Sequence, residues 1–185
     1  MKRIKTLIAS SILLAVVAVA PNASAVLITP STTPVWTGSD NSNFNAAAIT
    51  AIVGGSALTE VYKQNVGGDE TGSFASSYAT SFSNTAADPS DALIDYGSGS
   101  SISGSSIFLY VKDGNQNPAY YIFDISTWNG TDDLTLTGFW PRQGAISHVA
   151  ILTRGGSSVP DAGTTVALLG AGLIGVGALR RRFSK

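Results

Sequence analysis

The sequence predicts a mainly β protein: an antiparallel β-sandwich with one short helix, preceded by a signal helix and followed by a transmembrane helix. Three observations support this class. Short runs of β-branched and aromatic residues recur between turn residues such as Gly, Asn and Pro. One internal segment has apolar residues at helical spacing. Both ends carry an apolar run beside basic residues. The chain therefore divides into residues 1–25, 26–158 and 159–185.

Residues 1–25 have the composition of a secretory signal peptide. The first residues are basic, residues 7–20 are mostly apolar, and Pro21 interrupts the apolar run. Ala23 and Ala25 place small side chains at the positions that signal peptidase recognises. We therefore expect export by the Sec machinery and cleavage after Ala25, with an uncleaved anchor helix as the alternative.

The middle region, residues 26–158, begins with a predicted strand or extended arm. One helix is expected over residues 44–53, where the apolar residues approximate one helical face. The polar residues 41–43 offer N-cap side chains, and Gly54 and Gly55 are expected to end the helix.

The rest of the middle region has strand patterns. The predicted strands cover residues 58–64, 74–82, 92–96, 107–111, 120–125, 134–137 and 146–152. The fourth and fifth are the clearest pair, because both are rich in β-branched and aromatic residues and the loop between them carries turn residues. Residues 97–105 are rich in Gly and Ser, which predicts either a flexible segment or a tight set of turns.

The charge of the middle region excludes one class of partner. It carries eleven acidic and four basic side chains, a net charge near −7. A nucleic-acid binder needs a positive surface to neutralise phosphates, so DNA and RNA are excluded. The chain has no cysteine, which excludes disulfides, thiolate metal sites, cysteine nucleophiles and a cysteine-linked lipid anchor.

Candidate binding and catalytic groups are few in the middle region. Asp113, Asn115 and Asn117 offer oxygen atoms at alternating positions, and calcium prefers sets of oxygen ligands. Pro118 stands where the calcium loop of an EF-hand needs glycine, so we interpret the segment as a turn, with calcium binding as the alternative. We predict no other cofactor and no dedicated metal site.

His148, the only histidine, falls in the last predicted strand, and no G-x-S-x-G nucleophile context accompanies it. We therefore predict no catalytic residue and a protein that is not an enzyme. Trp36, Trp128 and Trp140 offer either core packing or a platform for sugar rings, and core packing is the interpretation that we prefer.

The C-terminal segment has three parts in a fixed order. Val159, Pro160, Asp161, Ala162 and Gly163 form a short motif, residues 164–179 are uncharged and mostly apolar or small, and Arg180, Arg181 and Arg182 are basic. These sixteen residues would form about 24 Å of helix at 1.5 Å each. A full membrane span needs roughly 20 residues, so the run is slightly short. The segment predicts a marginal membrane helix, with the arginines as a cytoplasmic stop.

This order of motif, apolar run and arginines resembles the PEP-CTERM class of sorting signals in its VPD-x-G, or VPDSG-CTERM-like, variant. The resemblance implies that exosortase, a membrane cysteine transpeptidase, acts at residues 159–163. It also implies export, transient anchoring in the inner membrane, and a final location at the cell surface or outside the cell. Ala162 stands where the variant has Ser. Residues 108–152 more loosely resemble the β-sandwich ectodomains that precede such tails.

Together these observations predict an exported surface or extracellular-matrix protein that exosortase processes. Its middle domain is expected to be structural or adhesive, in association with exopolysaccharide. The alternative is a secreted carbohydrate-binding or carbohydrate-cleaving domain. Exposed tryptophans beside paired carboxylates in a concave site would favour that alternative.

Overall fold

The computed structural model describes residues 24–32, 34, 36–84, 88–113, 115–141, 145–155, 170 and 174. Ala23, the motif at residues 159–163 and the arginines at 180–182 lie outside these ranges, as do the predicted signal helix and nearly all of the predicted membrane helix. Gly170 and Ile174 are helical. No helix within the described ranges is long and apolar enough to cross a membrane.

Ten strands and one helix make up the described part of residues 24–155. In chain order they are β1 (Ala25–Ile28), β2 (Trp36–Gly38), α1 (Ala46–Val53), β3 (Thr59–Asn65), β4 (Glu70–Thr71), β5 (Tyr78–Ser83), β6 (Asp91–Tyr96), β7 (Ser106–Asp113), β8 (Tyr120–Asp124), β9 (Asp133–Leu136) and β10 (Ile146–Arg154). The prediction of a mainly β fold with one short helix is confirmed for these residues.

The strands form two sheets. A six-stranded sheet has the order β2-β8-β7-β10-β3-β4, and a four-stranded sheet has the order β1-β9-β6-β5. The predicted hairpin is present as β7 and β8, which pair from Phe108 opposite Asp124 to Lys112 opposite Tyr120. The predicted antiparallel arrangement was wrong for one pair, since β1 runs parallel to β9. A parallel neighbour requires a long crossover, and here nearly the whole fold lies between the two strands.

The main core lies between the two sheets. Leu134 and Leu136 of β9 and Ile94 of β6 meet Leu109 of β7 and Ile151 of β10 in one buried cluster. Each such apolar side chain contributes about 1.5–3 kcal/mol when it is fully buried. The alternation of buried residues with exposed or partly buried ones along β6 and β9 follows from this one-sided burial.

Helix α1 covers the opposite face of the six-stranded sheet. Ile49 is fully buried there with Phe108 and Tyr110 of β7 and Leu152 of β10. Strands β7 and β10 are therefore covered on both faces, which explains why nearly all of their residues are buried.

The ends of α1 show one confirmed and one wrong prediction. Its N-cap is Asn45, whose side chain accepts a hydrogen bond from the backbone of Ala48 at 2.9 Å, and not one of residues 41–43. Only Asn45 is correctly spaced from the first free amides of the helix. The predicted end is confirmed, since the chain leaves the helix at Gly54 with φ of 75°.

The predicted strand at residues 74–82 begins four residues later, at Tyr78. Gly72 has φ of 101°, and a Cβ at this position would overlap the carbonyl oxygen of Val61. The chain therefore turns through residues 73–77, and the Phe74 amide donates to the Val61 carbonyl at 3.0 Å. The short strands β2 and β4 were not predicted, because their two or three residues carry no periodic pattern.

Candidate functional site

The first and last strands lie within a few residues of the two predicted processing points along the sequence. Ala25 is the first residue of β1, and the Ser24 carbonyl accepts a hydrogen bond from the Asp133 amide at 2.9 Å. Cleavage after Ala25 would start the mature chain inside β1 and leave Val26, Leu27 and Ile28 in register with β9. Ile28 is buried in the core. The cleavage itself stays a prediction.

The chain leaves the last strand at a fixed point. The Arg154 carbonyl accepts a hydrogen bond from the Ser105 amide at 2.9 Å. The Arg154 guanidinium donates to the carbonyls of Ser56, at 2.8 Å, and Gly54, and lies 5.2 Å from the centre of the Phe108 ring. These contacts fasten the end of β10 to the end of α1 and to β7. They also satisfy the carbonyl of the helix C-cap, Gly54, and that of Ser56 in the turn that follows.

A cleft of about 690 Å³ opens beside this exit. Four separate segments form its walls: the start of β3, the turn at residues 73–77, the loop at residues 98–100, and the end of β10. The lining residues are Thr59, Val61, Ser73, Phe74, Ser76, Ser77, Ser98, Gly99, Ser100, Thr153 and Gly155. The volume lies within the range of ordinary small-molecule and cofactor sites.

The lining of the cleft is polar but uncharged. Seven of its eleven residues carry a hydroxyl group, and none carries a carboxylate, an ammonium, a guanidinium or a side-chain amide. A hydroxyl group both donates and accepts hydrogen bonds. The two apolar residues, Val61 and Phe74, are buried and supply a small apolar surface. This arrangement suits a neutral ligand that is itself rich in hydroxyl groups.

Two tyrosines, the buried Tyr78 and the partly buried Tyr96, hold the loop side of the cleft. The Tyr78 hydroxyl donates to the carbonyl of Gly130 at 2.5 Å and accepts from the amide of Ile102 at 2.7 Å. The Tyr96 hydroxyl donates to the Gly99 carbonyl at 2.8 Å. The rings of Tyr78 and Tyr96 are 5.4 Å apart. Residues 97–105 therefore include a set of anchored turns, one of the two alternatives that the Gly- and Ser-rich sequence left open.

The three residues considered for calcium lie at the end of β7 and in the loop that follows. Asp113 is 2% exposed, and its two carboxylate oxygens accept hydrogen bonds from the amides of Asn115, at 2.6 Å, and Ala145, at 3.0 Å. Asn115 also accepts from Asn41 at 3.3 Å. The carboxylate thus supports a turn. No group of three or more His, Asp or Glu side chains in the described ranges could hold a metal ion.

His148 lies in β10, as predicted, on the helix side of the six-stranded sheet beside Tyr110. It is 3% exposed. Its Nε2 atom and the Tyr110 hydroxyl have no hydrogen-bond partner among the described residues. Burial, with added repulsion from Lys63 and Lys112, lowers the pKa of His148 to about 4. The imidazole is therefore neutral near pH 7.

Lys112 is also buried in this part of the sheet. Its ammonium donates to the side-chain oxygen of Asn41 at 2.7 Å and to the backbone carbonyl of Asp113 at 2.8 Å. Burial lowers the pKa of Lys112, against the opposing attraction of Asp113 and Asp40. The sequence did not indicate that Lys112 is buried, because the pattern of the strand that contains it is also compatible with an exposed lysine.

The tryptophans are core residues, as preferred from the sequence. Trp128 and Trp140 are buried, and the partly buried Trp36 packs edge-on against Phe108 with ring centres 5.9 Å apart. A second cavity, of about 210 Å³, includes Trp128, Asp124 and Asp132 in its lining. Its volume lies below the usual range for ligand sites.

The carboxylates of Asp95 and Asp133 are neighbours on the outer face of the four-stranded sheet. Burial, followed by a hydrogen bond and repulsion from Asp95, raises the pKa of Asp133. Neither residue lines the cleft or the second cavity. Within the described residues, this acid pair therefore shares no cavity with a tryptophan, and the carboxylates that do, Asp124 and Asp132, lie beside the buried Trp128 in the smaller cavity.

Sequence reasoning missed the hydroxyl side chains of the cleft. The available signal was the Gly- and Ser-rich run at residues 97–105, which supplies Ser98, Gly99 and Ser100. Serines elsewhere in the chain are too common to single out Ser73, Ser76 and Ser77. Only the fold brings these segments together.

Comparison with known proteins identifies the tail. Residues 158–183 match the family model of the VPDSG-CTERM motif. The match spans the short motif, the apolar run and the arginines at 180–182, so the resemblance predicted from the sequence is confirmed. No curated protein and no solved structure matches the chain.

Proposed function

We propose that the chain is an exported surface or extracellular-matrix protein whose folded region has a structural or adhesive role in an exopolysaccharide layer. The observation that carries the proposal is the VPDSG-CTERM motif at residues 158–183, which follows the last strand almost directly. Such a motif suggests processing by exosortase and is consistent with export and membrane anchoring before surface display.

The route has three steps in this proposal. The Sec machinery exports the chain, and signal peptidase cleaves after Ala25. The apolar segment at residues 164–179 then holds the protein in the inner membrane, with the arginines at 180–182 on the cytoplasmic side. Exosortase acts at residues 159–163, which removes the hydrophobic tail by a logic similar to that of a GPI signal.

Two properties of the folded region support a non-enzymatic role. The tryptophans serve the core, and the neighbouring carboxylates Asp95 and Asp133 lie away from both cavities. Asp124 and Asp132 line the second cavity beside the buried Trp128, but its volume of about 210 Å³ is below the usual range for ligand sites. A glycosidase needs its two carboxylates on either side of a bound sugar. The uncharged cleft instead favours binding without cleavage, which keeps a carbohydrate-binding domain as the second candidate function. We expect no cofactor, and calcium near Asp113 stays an untested alternative.

The proposal can be tested in cells with and without the exosortase. The location and intact mass of the protein are measured in both. We expect a shorter protein at the cell surface when exosortase is present, and an unprocessed protein in the inner-membrane fraction when it is absent. The same mass and the same location in both strains would contradict the proposal.

A further inference from the structure

We propose that the cleft beside the end of β10 binds a neutral polysaccharide chain through its hydroxyl groups. This inference rests on the proposed function and assigns its exopolysaccharide contact to one site. The ligand class follows from three properties of the cleft: unengaged hydroxyl groups, the absence of charge in the lining, and fixed walls.

The hydroxyl groups of the cleft are available to a ligand. Among the described residues, no side-chain hydrogen bond engages the hydroxyls of Thr59, Ser73, Ser76, Ser98 or Ser100. Each of them can donate to one sugar hydroxyl and accept from another. Phe74 and Val61, both largely buried, add a small apolar surface to the lining, against which the C–H face of a sugar ring can pack.

The charge distribution selects a neutral ligand. Residues 26–158 carry a net charge near −7, yet the cleft lining contains no acidic or basic residue. A polyanionic saccharide would meet repulsion from the surrounding domain and find no cation in the cleft. A cation would find no carboxylate. A polymer of neutral sugars meets neither obstacle.

The walls of the cleft are held before a ligand arrives. Tyr78 fixes the loop at Ile102, Tyr96 fixes it at Gly99, and the Gly97 amide donates to the Ser77 carbonyl at 3.0 Å, which joins the loop to the facing turn. Rigid walls reduce the entropy cost of binding. The sites for sugar hydroxyls are thus largely preformed.

The position of the cleft connects binding to the tail. Gly155 lines the cleft, and Val159 follows four residues later, a reach of at most about 14 Å for an extended chain. The apolar run begins at residue 164. While the tail is present, the cleft therefore lies at the end of the domain that is tethered to the membrane.

The test uses the mature protein purified from exporting cells. Its migration is measured in native gels containing dextran, mannan or galactan as neutral probes, and alginate as an acidic probe. We expect retardation by at least one neutral polysaccharide and none by alginate. Retardation by alginate alone would overturn the choice of ligand class.

The site is tested with two matched double variants. Ser76→Arg with Ser98→Arg places two large side chains at exposed positions of the cleft, whereas Ser81→Arg with Ser83→Arg makes the same change at exposed positions of β5. We expect affinity to fall by about tenfold or more, equal to about 1.4 kcal/mol, in the first variant only. Thermal unfolding of both variants checks the fold, and Ser73→Arg alone replaces the first variant if its Tm falls.

The outcomes separate this inference from the proposed function. If the parent protein binds and both double variants bind equally well, the polysaccharide lies elsewhere; this overturns the inference and leaves the proposed function standing. If no neutral polysaccharide retards the parent protein, the inference is also overturned. Processing by exosortase is judged separately, from the mass and location of the protein.

Discussion

In the tail, a short motif, an apolar run and a basic cluster follow one another within residues 159–185, whereas the cleft is assembled from four segments between Thr59 and Gly155. The tail depends on the order of its parts along the chain. The cleft depends on Tyr78, Tyr96 and the two sheets to bring distant hydroxyl groups together. Processing of the tail and binding in the cleft should therefore respond independently to mutation.

The largest expected effect tests the tail. Replacing Pro160 and Asp161 by Ala removes the two distinctive residues of the motif, and we expect processing to fall by about tenfold or more. The Tm of the folded region should not change, because β10 ends at Arg154. Intact mass and thermal unfolding measure the two effects. Ser157→Ala, outside the matched range, is the control, and a lower Tm in the motif variant would show that tail and fold are coupled.

The next effect tests the folded region by pH. The pKa of His148 is about 4 when folded and 6.5 as its ordinary value, so between these values the unfolded chain binds a proton that the folded chain does not. Stability should fall as pH drops from about 6.5 to about 4, by an amount on the order of 3 kcal/mol.

The pH effect is measured by urea unfolding at several pH values, with His148→Phe as the comparison. The variant keeps every carboxylate, and His148 is the only histidine. The difference between the two proteins therefore isolates the contribution of His148. The variant should lose less stability than the parent between pH 6.5 and 4. Equal losses in both proteins would show that burial does not keep His148 neutral.

A smaller effect is expected at the wall of the cleft. Tyr78→Phe leaves the Ile102 amide and the Gly130 carbonyl without their partner, and both residues are buried. We expect a loss of about 1–3 kcal/mol in the free energy of unfolding. Tyr96→Phe removes an exposed hydrogen bond and should cost less. The reverse order in chemical denaturation would contradict the role given to Tyr78.

The smallest effect concerns the cap of α1. Asn45→Ala removes the hydrogen bond to the Ala48 amide and should lower the free energy of unfolding by about 1 kcal/mol. Asn43→Ala makes the same change two residues earlier, within the segment in which the sequence placed the cap, and should have little effect. Equal losses in both variants would contradict the assignment of the cap to Asn45.

Much of the fold could be predicted because its signals are local. The β7–β8 hairpin, β6, β9, β10 and the end of α1 follow from periodicity and turn residues. The parallel position of β1 could not be predicted, since it depends on a partner more than a hundred residues away in the chain. The turn at residues 73–77 was missed because even spacing of aromatic residues suggested a strand through Phe74.

The candidate site divides in the same way. The motif at residues 159–163 could be identified from the sequence because it is defined by a linear order of residue types, and the family match confirms it. The cleft could not, because a serine hydroxyl has no sequence signature that separates a binding site from a turn. Ser98 and Thr153 come to line the same cleft only through the pairing of strands and the hydrogen bonds of Tyr78.

The most direct test of the central claim is the identity of the C-terminus of the protein recovered from the cell surface. Intact mass combined with sequencing of the C-terminal peptide gives this result. We predict a chain that begins at Val26 and ends within or next to residues 159–163, without the apolar run or the arginines. Surface protein that still ends in Lys185 would contradict the account of the tail as a temporary sorting signal.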